Sequence, residues 1–185
     1  MTRDHSLADM LALDSARISG YENNVNNDEA FERHQTLMRI IVEGPGRLIN
    51  PVILNMELCG DVRLALRRGM PGGQHGHLPE GKYTRALLKY WWWKAESFVK
   101  HLGTESEETR SRFCWMMHDL LLSIHPFTRG NGRTARLSFY MLQRATGIPL
   151  SPIRYEKAPE YLSHCEVHQN QVFVPLMRKH GFMSG

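Results

Sequence analysis

The sequence predicts an all-α fold, a helical bundle interrupted by one short hairpin. Three observations carry that prediction. Apolar residues recur at three- and four-residue spacing through most of the chain. The ends of the periodic stretches carry residues that start and stop helices. No alternating strand pattern stands out beyond the glycine-rich stretch from Gly69 to Gly81.

Between Asp28 and Val42 the stripe is Ala30, Phe31, Leu37, Met38 and Ile41, and Gly44-Pro45 ends it. Asn50-Pro51 reads as a cap and first-turn proline opening a short helix, and Asp61 is placed to cap another that ends at Gly69. The segment GMPGGQHGHLPEG, Gly69 to Gly81, has no helical period and reads as a loop or short hairpin. From Lys82 to Leu102, residues Leu87, Leu88, Trp91, Ala95, Phe98 and Leu102 form one stripe, with Trp92 and Trp93 off it. A helix sandwiched between neighbours would bury those two indoles; an exposed aromatic patch is the alternative.

Thr104 and Glu107 form a Thr-x-x-Glu capping box ahead of Phe113, Met116, Met117, Leu120, Leu121 and Ile124. Cys114, Trp115 and Leu122 add apolar surface on the other sides, which places this helix at the centre of the bundle. It ends at His125, because Pro126 disfavours helical geometry in the residue before it. The next helix runs from about Asn131 to Thr146 with Leu137, Met141, Leu142 and Ala145 inward, then Gly147 as cap and Pro149 beyond. Weaker helical patterns cover Ala158 to Val172 and Phe173 to His180. The chain divides into an N-terminal helical segment, 1–48, and a core, 49–185.

The 185 residues, 42% hydrophobic and 23% charged, suffice for one buried core. A balance of 23 Lys and Arg against 19 Asp and Glu gives +4, which favours anionic partners. Nucleic acid ranks low among them, since no basic and aromatic residues interleave in a recognition motif. Cys59, Cys114 and Cys165 are odd in number and widely spaced, so their pattern suggests neither a disulfide framework nor a zinc site and fits a reducing compartment. No apolar run approaches a membrane span, and the N-terminus reads as cytoplasmic at synthesis, without a signal that bears on export into another cell.

The chemistry concentrates in HPFTRGNGRTAR, from His125 to Arg136. Gly130 and Gly132 permit a tight turn, and the amides at the start of the following helix suit a phosphate. Arg133 and Arg136, three apart, share a helical face and add forked donors, which suits a di- or triphosphate. His125 is the group able to take a proton near neutral pH. Phe127 turns inward to anchor the loop. The bland alternatives are a helix-end histidine and solvated arginines; it is the joint spacing that argues against them.

HPFTRGNGR with Arg136 resembles the Fic family motif, His-Pro-Phe-x-[Asp/Glu]-Gly-Asn-Gly-Arg-x-x-Arg, over roughly residues 49 to 176. The resemblance implies a Fic-like helical bundle with a hairpin flap, and transfer of AMP, or another nucleoside monophosphate, to a Ser, Thr or Tyr hydroxyl of a target protein. It makes His125 the general base, Phe127 the anchor, Gly130, Asn131 and Gly132 the phosphate turn, and Arg133 and Arg136 the nucleotide-holding groups, with ATP as co-substrate. The stretch from Gly69 to Gly81 stands where the family's flap holds the target backbone.

Two departures follow from the comparison. The family's Asp or Glu that binds Mg²⁺ is here Arg129, which repels a cation, so Mg²⁺ is not expected and no metal ligand is assigned. Arg129 then replaces the metal's charge beside the nucleotide, or the site takes another phosphate substrate, or the domain is a nucleotide-binding module without strong catalysis. The family's inhibitory helix, Ser/Thr-x-x-x-Glu-Gly/Asn, also finds no match. Glu22, Glu43 and Glu80 precede Gly or Asn, but Ile18, Arg39 and Gly76 stand four residues earlier. Inhibition is therefore expected from a separate small protein, or from a drifted motif, with Ser19 a near miss.

Overall fold

A computed structural model describes residues 6–20, 28–60, 66–67 and 78–183. Helix α1, Leu7–Ile18, opens where Ser6 Oγ accepts the Asp9 N–H at 3.2 Å, and the Asp9 carboxylate lies in the positive first turn. The Ser-x-x-Asp pattern was the signal for this helix, which the division at residue 48 left unplaced. Helix α2, Asp28–Glu43, follows, and α3, Pro51–Cys59, starts as expected with Asn50 Oδ1 accepting the Val52 N–H at 2.9 Å and proline in the first turn.

After a 3₁₀ turn at Gly81–Tyr83 come α4, Thr84–Lys100, then α5, Glu107–Ile124, and α6, Asn131–Thr146. Another 3₁₀ turn, Tyr155–Lys157, leads to α7, Ala158–His168, a π-helical turn, Gln169–Phe173, and α8, Val174–Lys179. The all-α class holds throughout the described residues, with one isolated antiparallel bridge between Leu66 and Phe127. The expected hairpin at Gly69 to Gly81 lies almost wholly outside the described residues. So does most of the helix placed at Asp61 to Gly69, and its described residues, Leu66 and Arg67, are not helical.

Three local expectations are corrected. The α5 cap is Ser106, whose Oγ accepts the Thr109 N–H at 3.1 Å, and not Thr104. Starting there puts Glu107 and Glu108 in the first turn, against the positive helix end. Trp92 is partly buried against the core, but Trp93 is 57% exposed instead of sandwiched, with no element among the described residues covering it. Its neighbour Trp91 is fully buried and donates from Nε1 to the Met117 carbonyl at 2.6 Å, joining α4 to α5. The helix enclosed on all sides is α6, which packs against α1, α2, α3, α4 and α5; Met116 of α5 points to solvent.

The core runs through Leu54, Leu58, Trp91, Met117, Ile124, Leu137, Phe139 and Tyr140, all buried. No helix among the described residues is long and apolar enough to cross a membrane. The consequence for function is that α6 carries Arg133 and Arg136 into this interior, 7% and 2% exposed. Guanidinium groups are seldom buried without compensating partners, so the solvated reading of both arginines is set aside.

Candidate functional site

The turn between α5 and α6 is built from the inside. His125 caps α5 in the left-handed region, φ 47°, and is the one non-glycine residue at positive φ among the described residues. A side chain there is strained and needs its surroundings to hold it. Its N–H donates to the Leu121 carbonyl at 3.1 Å. Its carbonyl accepts from Arg67 Nε at 2.9 Å, and Arg67 Nη2 donates to Ile124 O at 3.2 Å and Pro79 O at 2.7 Å. The Arg67 backbone N–H adds a bond to Pro126 O at 2.9 Å. Burial pushes the Arg67 pKa down from its usual value, yet the Ile124 and His125 carbonyls, lying at the negative end of α5, favour the cation.

Phe127 is buried in the core, 1% exposed, as the anchor role requires. Asn131 closes the turn from the other side: its Oδ1 accepts the Phe127 N–H at 2.9 Å and its Nδ2 donates to the Phe127 carbonyl at 2.7 Å. The Asn131 side chain is thus spent on the backbone, and what it offers an anion is its own main-chain N–H. Asn55 of α3 supports the same turn, donating from Nδ2 to Arg129 O and Thr134 Oγ1, both at 3.0 Å. Gly130, φ 76°, fits only without a side chain, since a Cβ would meet Asn55 Nδ2 at 3.0 Å and Cys59 Sγ at 3.1 Å.

Because Gly130 is the N-cap of α6, no side chain caps this helix. The first main-chain bond runs from Thr134 N–H to Gly130 O at 2.9 Å, so the amides at the very start of α6, those of Asn131 and Gly132, precede the helix's own bonding ladder. Arg136 lies against this start: a Cβ on Gly132 would stand 3.4 Å from Arg136 Nη1. His34 of α2 is buried nearby, and neither ring nitrogen has a hydrogen-bond partner. Burial first, then the Arg133 and Arg136 charges, push its pKa down to about 3. A helix start without a cap, two buried guanidiniums and a neutral imidazole make a cradle for an anion carrying several charges.

Within the protein, α1 already occupies Arg136. Nε donates to Ser15 Oγ at 2.9 Å, Nη2 to Ser15 O at 2.8 Å and to Ser19 Oγ, and Nη1 to Tyr161 Oη at 3.4 Å. Ser15-x-x-x-Ser19-Gly20 has the spacing of the inhibitory motif, with serine where that motif has glutamate. A search keyed to glutamate passes over it. His34 and Asn55 were also missed, although each stands in an apolar helical stripe, His34 with Leu37, Met38 and Ile41, and Asn55 with Leu54 and Leu58.

Arg129 is exposed, and its Nη2 donates to Cys59 O at 3.2 Å, at the negative C-terminal end of α3. A guanidinium stands where a Mg²⁺ ligand would be needed, and the Asn131 side chain is committed to Phe127. The residues present do not fit a turn-bound Mg²⁺.

A histidine fixed at the C-terminal end of one helix, separated by five residues from the uncapped, arginine-bearing start of the next, is the layout of a Fic-type domain. A profile of the Fic/DOC family matches residues 24–143, more than half of the chain, and the chain belongs to that family. The protein adenylyltransferase Fic of Culex quinquefasciatus is 30% identical over 107 residues, covering 56% of this chain and 20% of that protein. The protein of the same name from Drosophila melanogaster is 30% identical over 105 residues, with the same coverage. That from Nematostella vectensis is 35% identical over 66 residues, 36% of this chain and 16% of that protein. The matched part therefore spans no more than 20% of the length of these relatives.

Proposed function

We propose that this chain is a Fic-type transferase that moves AMP, or another nucleoside monophosphate, from the triphosphate to a Ser, Thr or Tyr hydroxyl of a target protein. The observation that supports it is the pairing of His125 with the uncapped start of α6 and its two buried arginines. The target oxygen bonds to the α-phosphorus, the bond from that phosphorus to the bridging oxygen breaks, and pyrophosphate departs with the electron pair. The hydroxyl proton passes to the His125 imidazole. The α6 amides, Arg133 and Arg136 stabilise the charge that gathers on the phosphates. Arg129 supplies positive charge on the outer side of the turn in place of a cation. The Gly69 to Gly81 segment receives the target backbone by strand addition, and the reaction belongs to the reducing cytoplasm.

Inhibition is assigned to α1, within the chain, in addition to any separate inhibitory protein. A second reading, a nucleotide-binding module without transfer, draws on one observation: each Arg136 nitrogen is engaged by Ser15, Ser19 or Tyr161. Incubating the purified protein with labelled nucleotides and a cell lysate, with and without Mg²⁺, and reading modified proteins by mass spectrometry decides between the two. Labelled targets that vanish with His125→Ala support transfer. Nucleotide binding without any labelled protein supports the module.

A further inference from the structure

A second cluster of reactive side chains lies away from the motif, between α5 and α7. Asp119 of α5 is its centre and is 4% exposed. One carboxylate oxygen, Oδ2, is 2.8 Å from His168 Nδ1 and 3.6 Å from His164 Nε2. His164 and His168 are four apart on α7, so both rings project from one helical face, and they stack with centroids 6.1 Å apart and planes within 7°. The 2.8 Å approach lacks the direction of a hydrogen bond: His168 Nδ1 is buried and has no hydrogen-bond partner. Imidazole and carboxylate thus converge on common space instead of bonding to each other.

The other carboxylate oxygen is held from behind. His118 Nδ1 lies 2.9 Å from Asp119 Oδ1, and His118 Nε2 lies 3.0 Å from Tyr161 Oη. With the proton on Nδ1, His118 donates to the carboxylate and accepts from tyrosine, the kind of support that orients metal ligands. Solvent reaches the group through a cleft of about 860 Å³ walled by Trp115, Asp119, His164 and His168, and the His164 side chain is 58% exposed.

We infer that Asp119, His164 and His168 form a binding site for a divalent transition-metal ion of the zinc type, open to solvent at a fourth position. Ligand atoms about 2.0 to 2.2 Å from a tetrahedral zinc stand about 3.3 to 3.6 Å from each other. The His164 separation from Asp119 meets that already and the His168 separation nearly so; the two stacked imidazoles, with centroids 6.1 Å apart, must each rotate inward to share one ion. Two imidazoles and a carboxylate select zinc, cobalt or nickel over magnesium or calcium, which prefer oxygen. The Cys165 thiol comes within 4.8 Å of ligand atoms of His118 and Asp119, but it leaves α7 about 100° round the helix from His164, outside the face that the two histidines share, and is not assigned to the ligand set. Bound metal ties α7 to α5 and, through His118 and Tyr161, reaches Arg136.

The test titrates the full chain, free of any affinity tag and stripped with chelator, with ZnCl₂ and CoCl₂ by calorimetry and absorbance. One equivalent should bind, and zinc at a hundredfold excess over Kd should raise Tm by about 5 to 10 °C. His164→Ala, at an exposed position that does not threaten folding, and His168→Ala should each weaken binding at least about tenfold, whereas Cys165→Ala should leave it unchanged. No binding, or binding undiminished in both histidine variants, would overturn the site. So would a loss confined to Cys165→Ala.

Discussion

Replacing Ser15 and Ser19 together by alanine should tighten nucleotide binding while loosening the protein without nucleotide. The two hydroxyls accept from Arg136 Nε and Nη2, and Ser15 O and Tyr161 Oη remain after the change. Hydrogen bonds to charged groups contribute about 1.5 to 3 kcal/mol each. The bonds that remain, and the better helix propensity of alanine, leave about 1.5 to 3 kcal/mol for the pair. A triphosphate that must draw Arg136 away from α1 gains what the serines no longer hold, about 10- to 100-fold in affinity. Without nucleotide the same loss lowers Tm by several degrees, at about 2 to 4 °C per kcal/mol for a chain of this size. Titration calorimetry with ATP in Mg²⁺-free buffer measures the first effect and scanning calorimetry the second. A folded double variant that binds ATP no better than the natural protein would refute the idea that α1 competes with nucleotide for Arg136.

His125→Ala should remove transfer, a loss of about 10² to 10⁴ in rate, with Tm little changed; labelled target in a single-turnover assay checks it. Arg129→Glu should make ATP binding depend on Mg²⁺ across a metal titration and cost up to about 1 kcal/mol of stability, because a carboxylate replaces the cation at the C-terminal end of α3. Strict Mg²⁺ dependence in the natural protein would contradict that expectation. His34 gives a pH effect of defined sign: its folded pKa of about 3 lies below the ordinary 6.5, so its stabilising contribution is full above pH 6.5 and lost as pH falls toward 3. Between pH 7 and 5 that amounts to about 2 kcal/mol, and His34→Phe should flatten the fall in urea midpoint; an unchanged fall would show that the ring is not responsible. His118, also pushed down by burial, acts in the same direction and remains in that variant.

Helices α3 and α6 were legible because their limits rest on local chemistry. Asn50-Pro51 opens one and Gly147 closes the other, and neither signal needs a distant partner. The α5 cap was misplaced by two residues since Thr104 and Ser106 both offer a capping hydroxyl, and only the packed chain decides between them. In the candidate site, the spacing of His125, Gly130, Arg133 and Arg136 was readable, but the partners of those residues were not. Ser15 and Arg136 are 121 positions apart, and nothing local joins them. The internal use of Asn131 also follows from the turn's closure on Phe127, a tertiary matter. His34 and Asn55 were legible in principle, as polar residues set in apolar stripes.

Arg67 grips the chain at Ile124, His125 and Pro126 on one side and at Pro79 on the other. Both roots of the intervening segment, 68–78, are thereby pinned to the turn that carries His125. A flexible segment of chain whose ends are fixed would tolerate changes of length at small entropic cost, about 0.6 kcal/mol for each doubling. Such changes stop at Arg67 and Pro79 and do not propagate to the histidine. One buried guanidinium thus separates a stretch of sequence that is free to vary from a turn whose geometry is held.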